Sequence, residues 1–146
     1  MTRRLADLAW PDLDRCAART VLAVPVGATE QHGPHLPLST DTDVAVALAR
    51  RLAAARPDVL VAPAVAYGSS GEHAGFAGTL SIGQEALEML LVELVRSADA
   101  FAATLLISTH GGNAEPVTRA VAVLSSEGRK VRAWSPSAEP GDDAHA

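Results

Sequence analysis

Short apolar runs alternate with amphipathic stretches along most of this chain. Four uninterrupted runs have the length of buried strands, at 21–26, 59–65, 104–108 and 131–134. Three longer stretches carry apolar residues at helical spacing, at 42–55, 82–97 and 114–126. Strands that alternate with helices are typical of a parallel sheet that is covered on both faces. The pattern therefore predicts an α/β fold, layered, with a mostly parallel sheet and helices on both faces.

Single residues predict where these helices lie and how two of them begin. Ser81 and Gln84 have the spacing of a capping box for the helix at 82–97. Asn113 is a preferred residue for the N-cap of the helix that follows it. The helix at 42–55 is predicted from apolar residues at four-residue spacing: Val44, Leu48 and Leu52.

The stretch at 30–41 carries the most suggestive chemistry. Glu30 and His32 are two residues apart, so in an extended segment their side chains leave the same face. Asp41 follows a proline-rich turn, where the next helix should begin. Two carboxylates and an imidazole form a mixed oxygen and nitrogen ligand set, which suits Zn, Mn or Fe better than Ca or Cu(I). The alternative is a polar loop that only links a strand to a helix.

All histidines follow the carboxyl ends of predicted strands. There are five of them, at His32, His35, His73, His110 and His145. In an open parallel sheet these loops gather along one edge, where ligands usually bind, so we expect one shared site. His110 opens a His-Gly-Gly-Asn turn and is a candidate third or fourth metal ligand. The alternative for His110 is a loop histidine beside a helix cap.

The other histidines have separate candidate roles. We expect His35 to orient a neighbouring side chain through a hydrogen bond. Glu72 and His73 lie in a glycine-rich loop that could form a wall or lid over a substrate, or a solvated loop. His145 follows two aspartates near the last residue, and could be an acid/base group or part of a frayed end.

Composition and missing motifs narrow the function. The net charge of the 146 residues is −5 and no basic cluster occurs, so we expect no nucleic-acid partner and no membrane partner. Cys16 is the only cysteine, which excludes an internal disulfide and favours a cytoplasmic location. The sequence has no phosphate-binding loop, no dinucleotide fingerprint and no hydrolase nucleophile elbow. Of the chemistries considered, metal-assisted hydrolysis is the one that these absences leave.

Three motifs resemble those of the creatininase family of metal-dependent amidohydrolases. They are Glu-Gln-His-Gly-Pro-His-Leu-Pro-Leu-x-Thr-Asp at 30–41, Gly-Glu-His-x-x-Phe-x-Gly-Thr at 71–79 and His-Gly-Gly-Asn at 110–113. The resemblance implies a layered α/β fold, two divalent metal ions (Zn, Mn or Fe) and a homo-oligomer. It also implies metal ligands: Glu30 and His32 on one metal each, Asp41 bridging both, and His110 completing one.

Within that family, residues 66–83 are most similar to the peptidases of the mycofactocin system. That similarity implies hydrolysis of a C–N amide bond by a metal-activated water, releasing the C-terminal Val-Tyr dipeptide from a modified precursor peptide. Glu72, His73 and His145 are then the catalytic candidates, with His145 carrying a proton to the leaving amine. The alternatives are an amidohydrolase of small cyclic amides resembling creatinine, and an inactive remnant that only binds metal or a partner.

One departure from the family pattern concerns the metal site. Creatininase has a glutamate two residues after the histidine that matches His110, whereas this chain has Gly112. The resemblance places a substitute glutamate in a later segment that this sequence does not contain. We therefore expect 1–146 to be a single creatininase-like domain that is incomplete at its C-terminus.

Overall fold

The computed structural model describes residues 4–136. Its strands are β1 (Val21–Val26), β2 (Val59–Val61), β3 (Ala103–Ser108) and β4 (Val131–Trp134). Its α-helices are α1 (Trp10–Asp14), α2 (Thr40–Ala55), α3 (Gly83–Arg96) and α4 (Ala114–Ser126). Within that range the strands form one parallel sheet in the order β2, β1, β3, β4. The predicted parallel α/β fold is confirmed.

The sheet is covered on both faces, and β1 shows why. Leu22, Val24 and Val26 point to one face, where they pack in a core with α3 and α4. Ala23 points to the other face, where it packs with α2. Side chains alternate between the faces of a strand, so an uninterrupted apolar strand requires an apolar layer on each side. None of the helices between residues 4 and 136 has the length and apolar character needed to span a membrane.

The predicted helix at 42–55 is confirmed as α2, and its buried face lies one residue later than the apolar residues that predicted it. Its fully buried positions are alanines at four-residue spacing: Ala45, Ala49 and Ala53. Val44 is 45% exposed, while Leu48 and Leu52 are only partly buried at the edge of the core. Alanine side chains let the helix approach the small Ala23 side chain of the sheet, so the larger residues are displaced to the flanks.

Three further local predictions were wrong. β2 ends at Val61 instead of residue 65, because Pro63 has no N–H to offer a strand ladder. Ser81 forms no capping box, because its hydroxyl accepts hydrogen bonds from the backbone N–H groups of Ser70 and Gly83. Asn113 precedes α4 as predicted, but its side chain does not cap the helix.

Candidate metal centre

The loops that follow β1, β2 and β3 meet at the carboxyl edge of the sheet. β1 lies between β2 and β3, so the stretch after Val26 is flanked by the other two loops. A cleft of about 650 Å³ opens there. Its walls include all four predicted metal ligands and both described catalytic candidates: Glu30, His32, Asp41, His110, Glu72 and His73.

Asp41 lies between two histidines. Its Oδ1 is 3.1 Å from Nε2 of His32, and its Oδ2 is 3.1 Å from Nδ1 of His110. Glu30 lies beside the same pair, with Oε1 3.0 Å from Nδ1 of His110 and 4.0 Å from Nε2 of His32. The two oxygens of Asp41 thus face different histidines, so the carboxylate offers one oxygen beside each ring.

The hydrogen bonds of His110 determine which ring nitrogen carries its proton. Nε2 lies 2.9 Å from the carbonyl oxygen of Ser69, which can only accept a hydrogen bond. Nε2 therefore holds the hydrogen, and Nδ1 of the neutral ring has a lone pair. That lone pair faces the carboxylates of Glu30 and Asp41.

His32 is arranged in the same way with the ring nitrogens exchanged. Its Nδ1 is 3.2 Å from the backbone carbonyl oxygen of Glu30, so Nδ1 carries the hydrogen. Its Nε2 then directs a lone pair at Asp41. A histidine that ligates a metal usually donates its other ring N–H to a carbonyl or carboxylate, as both His32 and His110 do.

A divalent cation fits this set of donors. Oε2 of Glu30 and Oδ2 of Asp41 are buried and have no aligned hydrogen-bond donor in the described part of the chain, although Oδ2 lies near the His110 ring. Buried charged oxygens are costly unless a cation or a hydrogen bond compensates them. Ligand atoms around one tetrahedral zinc ion lie roughly 3.3 to 3.6 Å apart, since each is about 2.0–2.2 Å from the metal. The closest ligand atoms here are 3.0 to 3.1 Å apart, and those of Glu30, His32 and Asp41 all lie within 4.8 Å of one another, a wider spacing than around one zinc ion.

The pKa values of the three most buried groups shift because of this crowding. Burial raises the pKa of the Glu30 carboxyl, and the positive charge on His110 offsets this only in part. Burial also acts to raise the pKa of Asp41, but the two histidine rings outweigh it and hold that pKa below its usual value. Burial acts to lower the pKa of His110, yet its contacts with Asp41, Ser69 and Glu30 raise it overall. These directions indicate that the site favours positive charge between its carboxylates.

His73 joins the site from the loop after β2. Its Nε2 is 3.7 Å from Oε2 of Glu30 and 3.7 Å from Oε1 of Glu72. Its Nδ1 is 2.9 Å from the side-chain amide nitrogen of Gln31. Glu72 is 68% exposed, so it lies at the rim of the cleft, where it can reach solvent or a substrate.

The prediction of one site for all histidines was wrong for His35. His35 is exposed and is not part of the cleft wall, and no hydrogen bond joins it to another residue of the described range. It follows a turn at Gly33, whose φ of 75° turns the chain outward. His145 and its neighbouring aspartates lie outside the described residues.

Two buried residues that support the site were not predicted. Ser70 is fully buried, and its hydroxyl oxygen lies 3.3 Å from Nε2 of His110. Asn113 is also fully buried; it accepts a hydrogen bond from the N–H of Ser69 and donates one to the carbonyl oxygen of Gly27. The only signal in the sequence was their polarity within glycine-rich turns, because their partners are distant along the chain.

Ser70, His110 and Asp41 are connected in the order of a serine hydrolase triad. The serine, however, has no solvent-accessible surface, so its hydroxyl cannot reach a substrate. Ser70 therefore supports the His110 ring and does not act as a nucleophile.

Comparison with known families decides the relationship. The family model described as creatininase, creatinine amidohydrolase, matches residues 6–146. The chain belongs to the creatininase family. Solved creatininases have the same fold: one described as creatininase Mn gives a TM-score of 0.84 at 26% identity, over 92% of this chain and 58% of that one. A creatininase variant described as Zn-Zn type gives a TM-score of 0.76 at 26% identity, over 92% of this chain and 58% of that one.

Curated creatininase-family proteins include closer relatives. The mycofactocin precursor peptide peptidase of Mycobacterium tuberculosis is 53% identical over 135 residues, which cover 86% of this chain and 53% of that protein. The creatinine amidohydrolase of Pseudomonas putida is 31% identical over 114 residues, covering 73% of this chain and 44% of that one. The chain spans about half the length of the curated relatives it matches.

Gly112, two residues after His110, lies in a tightly packed turn. A Cβ atom at residue 112 would lie 2.3 Å from the carbonyl oxygen of Ser69 and 2.6 Å from Nε2 of His110. A glutamate therefore cannot occupy this position unless the loop or the His110 ring moves. The packing of this turn around His110 therefore favours a residue without a side chain at position 112.

Proposed function

We propose that this chain binds divalent metal ions through Glu30, His32, Asp41 and His110 and hydrolyses a C–N amide bond of a peptide. The observation that carries the proposal is the position of the Asp41 carboxylate, with one oxygen toward each of two histidine lone pairs. Two ions, of Zn, Mn or Fe, form part of the proposal, since solved family members are described with Mn and with Zn. Ions held there would supply Lewis acidity and an activated water nucleophile.

The proposed substrate is the modified mycofactocin precursor peptide, from which the C-terminal Val-Tyr dipeptide would be released. Support comes from relatives that are 53% identical and described as mycofactocin precursor peptide peptidases. A cytoplasmic homo-oligomer built from a single creatininase-like domain, 1–146, belongs to the same proposal. None of these properties depends on the identity of the metal.

The side chains around the cleft have separable tasks in this reaction. Glu30 and Asp41 supply the negative charge that holds the cations, and burial strengthens their attraction because water is excluded. Glu72, at the rim, can take up a proton and return it to the leaving amine. The proposal also assigns proton transfer to the leaving amine to His145, which lies outside the described residues.

Metal content per chain tests the metal site directly. Wild-type protein, loaded with Zn, Mn or Fe and desalted, should hold about two ions per chain by elemental analysis. His110→Ala should hold fewer, because it removes one lone pair from the site. His35→Ala is the matched control, since it deletes an exposed histidine of the same stretch, and its metal content should equal that of the wild type. Equal metal in all three proteins would refute the proposed ligand set.

Peptide cleavage tests the substrate. Metal-loaded protein should release Val-Tyr from a modified precursor peptide, detected by mass spectrometry, while leaving creatinine intact. The relative described as creatinine amidohydrolase motivates the alternative, in which creatinine is the substrate. Turnover of creatinine with an intact peptide would establish the small cyclic-amide function instead. Bound metal with no turnover of either substrate would favour an inactive metal-binding or partner-binding role.

A further inference from the structure

Gln31 lies between two metal-ligand candidates, yet its side chain points to a third histidine. Its amide oxygen accepts a hydrogen bond from the backbone N–H of Gly33 at 2.8 Å. Its amide nitrogen lies 2.9 Å from Nδ1 of His73. Its backbone N–H donates to the hydroxyl of Thr79, at 3.2 Å, in the loop that carries His73. Gln31 is thus held at two points against that loop, by His73 and Thr79, and at a third by Gly33 of its own turn.

These contacts determine the tautomer of His73. A backbone N–H can only donate, so the atom of Gln31 that faces Gly33 must be the amide oxygen. The atom that faces His73 is then the NH2 group, which can only donate. Nδ1 of His73 must accept this bond with its lone pair. In the neutral ring the hydrogen therefore lies on Nε2.

The three histidines of the cleft differ in the hydrogen-bond partner of the ring nitrogen that points away from the cleft. In His32 and His110 this partner is a backbone carbonyl oxygen, which accepts a hydrogen bond from the ring N–H. The other ring nitrogen therefore has a lone pair that faces the carboxylates. In His73 this partner is the donating amide of Gln31, so Nδ1 has the lone pair and the N–H at Nε2 faces the cleft. A nitrogen that carries hydrogen cannot ligate a metal.

Among residues 4–136, no acceptor lies within hydrogen-bonding distance of the N–H of His73. The nearest carboxylate oxygens, on Glu30 and Glu72, are each 3.7 Å from Nε2, which exceeds hydrogen-bonding distance. The ring is 29% exposed, on the wall of the cleft. An oxygen atom of a bound molecule could therefore accept this hydrogen bond.

We propose that Gln31 is a positioning residue that fixes the tautomer of His73, and that His73 in consequence donates a hydrogen bond to a carbonyl or carboxylate oxygen of the peptide instead of binding metal. The role toward substrate rests on the proposed peptide hydrolysis. The tautomer and the absence of metal ligation by His73 do not depend on it, and they can be measured without turnover.

Nitrogen NMR of the histidine rings tests the tautomer. In 15N-labelled protein at an alkaline pH that leaves the imidazoles neutral, cross-peaks from ring protons should show hydrogen on Nε2 of His73. Gln31→Glu replaces the donating NH2 with an accepting oxygen, so Nδ1 of His73 should gain the hydrogen. Gln84→Glu is the matched control, because Gln84 lies on α3 and contacts Arg119; it should leave the His73 signals unchanged. Hydrogen on Nδ1 in the wild type, or no change in Gln31→Glu, would overturn the proposal.

Metal binding and kinetics test the consequence. His73→Ala should keep the wild-type metal content, whereas His110→Ala should lose metal. His73→Ala should lower kcat/KM for the peptide roughly tenfold, which corresponds to the loss of one hydrogen bond. His73→Gln should restore part of this kcat/KM, because its side-chain amide can donate a hydrogen bond. Loss of metal in His73→Ala would refute the donor role. A wild type without peptide cleavage, but with the expected NMR pattern, would refute the proposed function and leave the tautomer assignment standing.

Discussion

Replacing Gly112 with alanine would test the packing that holds His110 in position. The new Cβ would approach the Ser69 carbonyl oxygen to 2.3 Å and Nε2 of His110 to 2.6 Å. These two atoms are the partners of one hydrogen bond, so the methyl group must separate them. Overpacking costs about 1–3 kcal/mol and the lost hydrogen bond about 1 kcal/mol, so the free energy of unfolding should fall by about 2–4 kcal/mol.

The same substitution should weaken metal binding. Without the Ser69 carbonyl, the His110 ring loses the contact that directs its Nδ1 lone pair at the carboxylates. Loss of such an orienting hydrogen bond typically reduces metal affinity about 10–100-fold. Urea unfolding of chelator-treated protein measures the stability, and competition with a chelating dye measures the affinity.

Gly75→Ala is the control for both measurements. A Cβ atom at Gly75 would have nothing within 4 Å, and the residue is not in the left-handed region. Its stability should therefore change by less than about 1 kcal/mol, and its metal affinity should remain that of the wild type. If Gly112→Ala matched Gly75→Ala in both assays, the close contact around His110 would not exist.

Three other predictions use the same measurements. Asn113→Ala should lower the free energy of unfolding by about 2–4 kcal/mol, because it leaves the buried Ser69 N–H and Gly27 carbonyl without partners; a urea midpoint equal to wild type would contradict this. In metal-free protein, the pKa of His110 is raised above 6.5, so its stabilising contribution is fully present below pH 6.5 and is lost as the pH rises through the higher folded pKa. Unfolding curves at increasing pH should show this loss, and His110→Gln should remove it. Glu72→Gln should reduce kcat for the peptide while leaving stability within about 0.5 kcal/mol of wild type, because the side chain is exposed; unchanged kcat would exclude its proton-transfer role.

Local pattern determined the secondary structure and the general location of the site. The apolar runs at β1 and β3 could be recognised because a strand buried on both faces needs apolar side chains at every position. Once the sheet was inferred to be parallel, the loops that carry Glu30, His73 and His110 had to meet at one edge. The motif at 30–41 added the types of ligand atom. These inferences need only neighbours in sequence and the geometry of a parallel sheet.

Tertiary structure alone decided what each side chain in the site can do. The tautomer of His110 depends on a carbonyl 41 residues away, and that of His73 on an amide 42 residues away. Asn113 resembles a helix cap in sequence but joins two loops in the fold, and Gly112 is required by a ring and a carbonyl that only folding brings together. Hydrogen-bond direction and close contact are properties of atoms separated along the chain, so a sequence pattern of residue types cannot encode them.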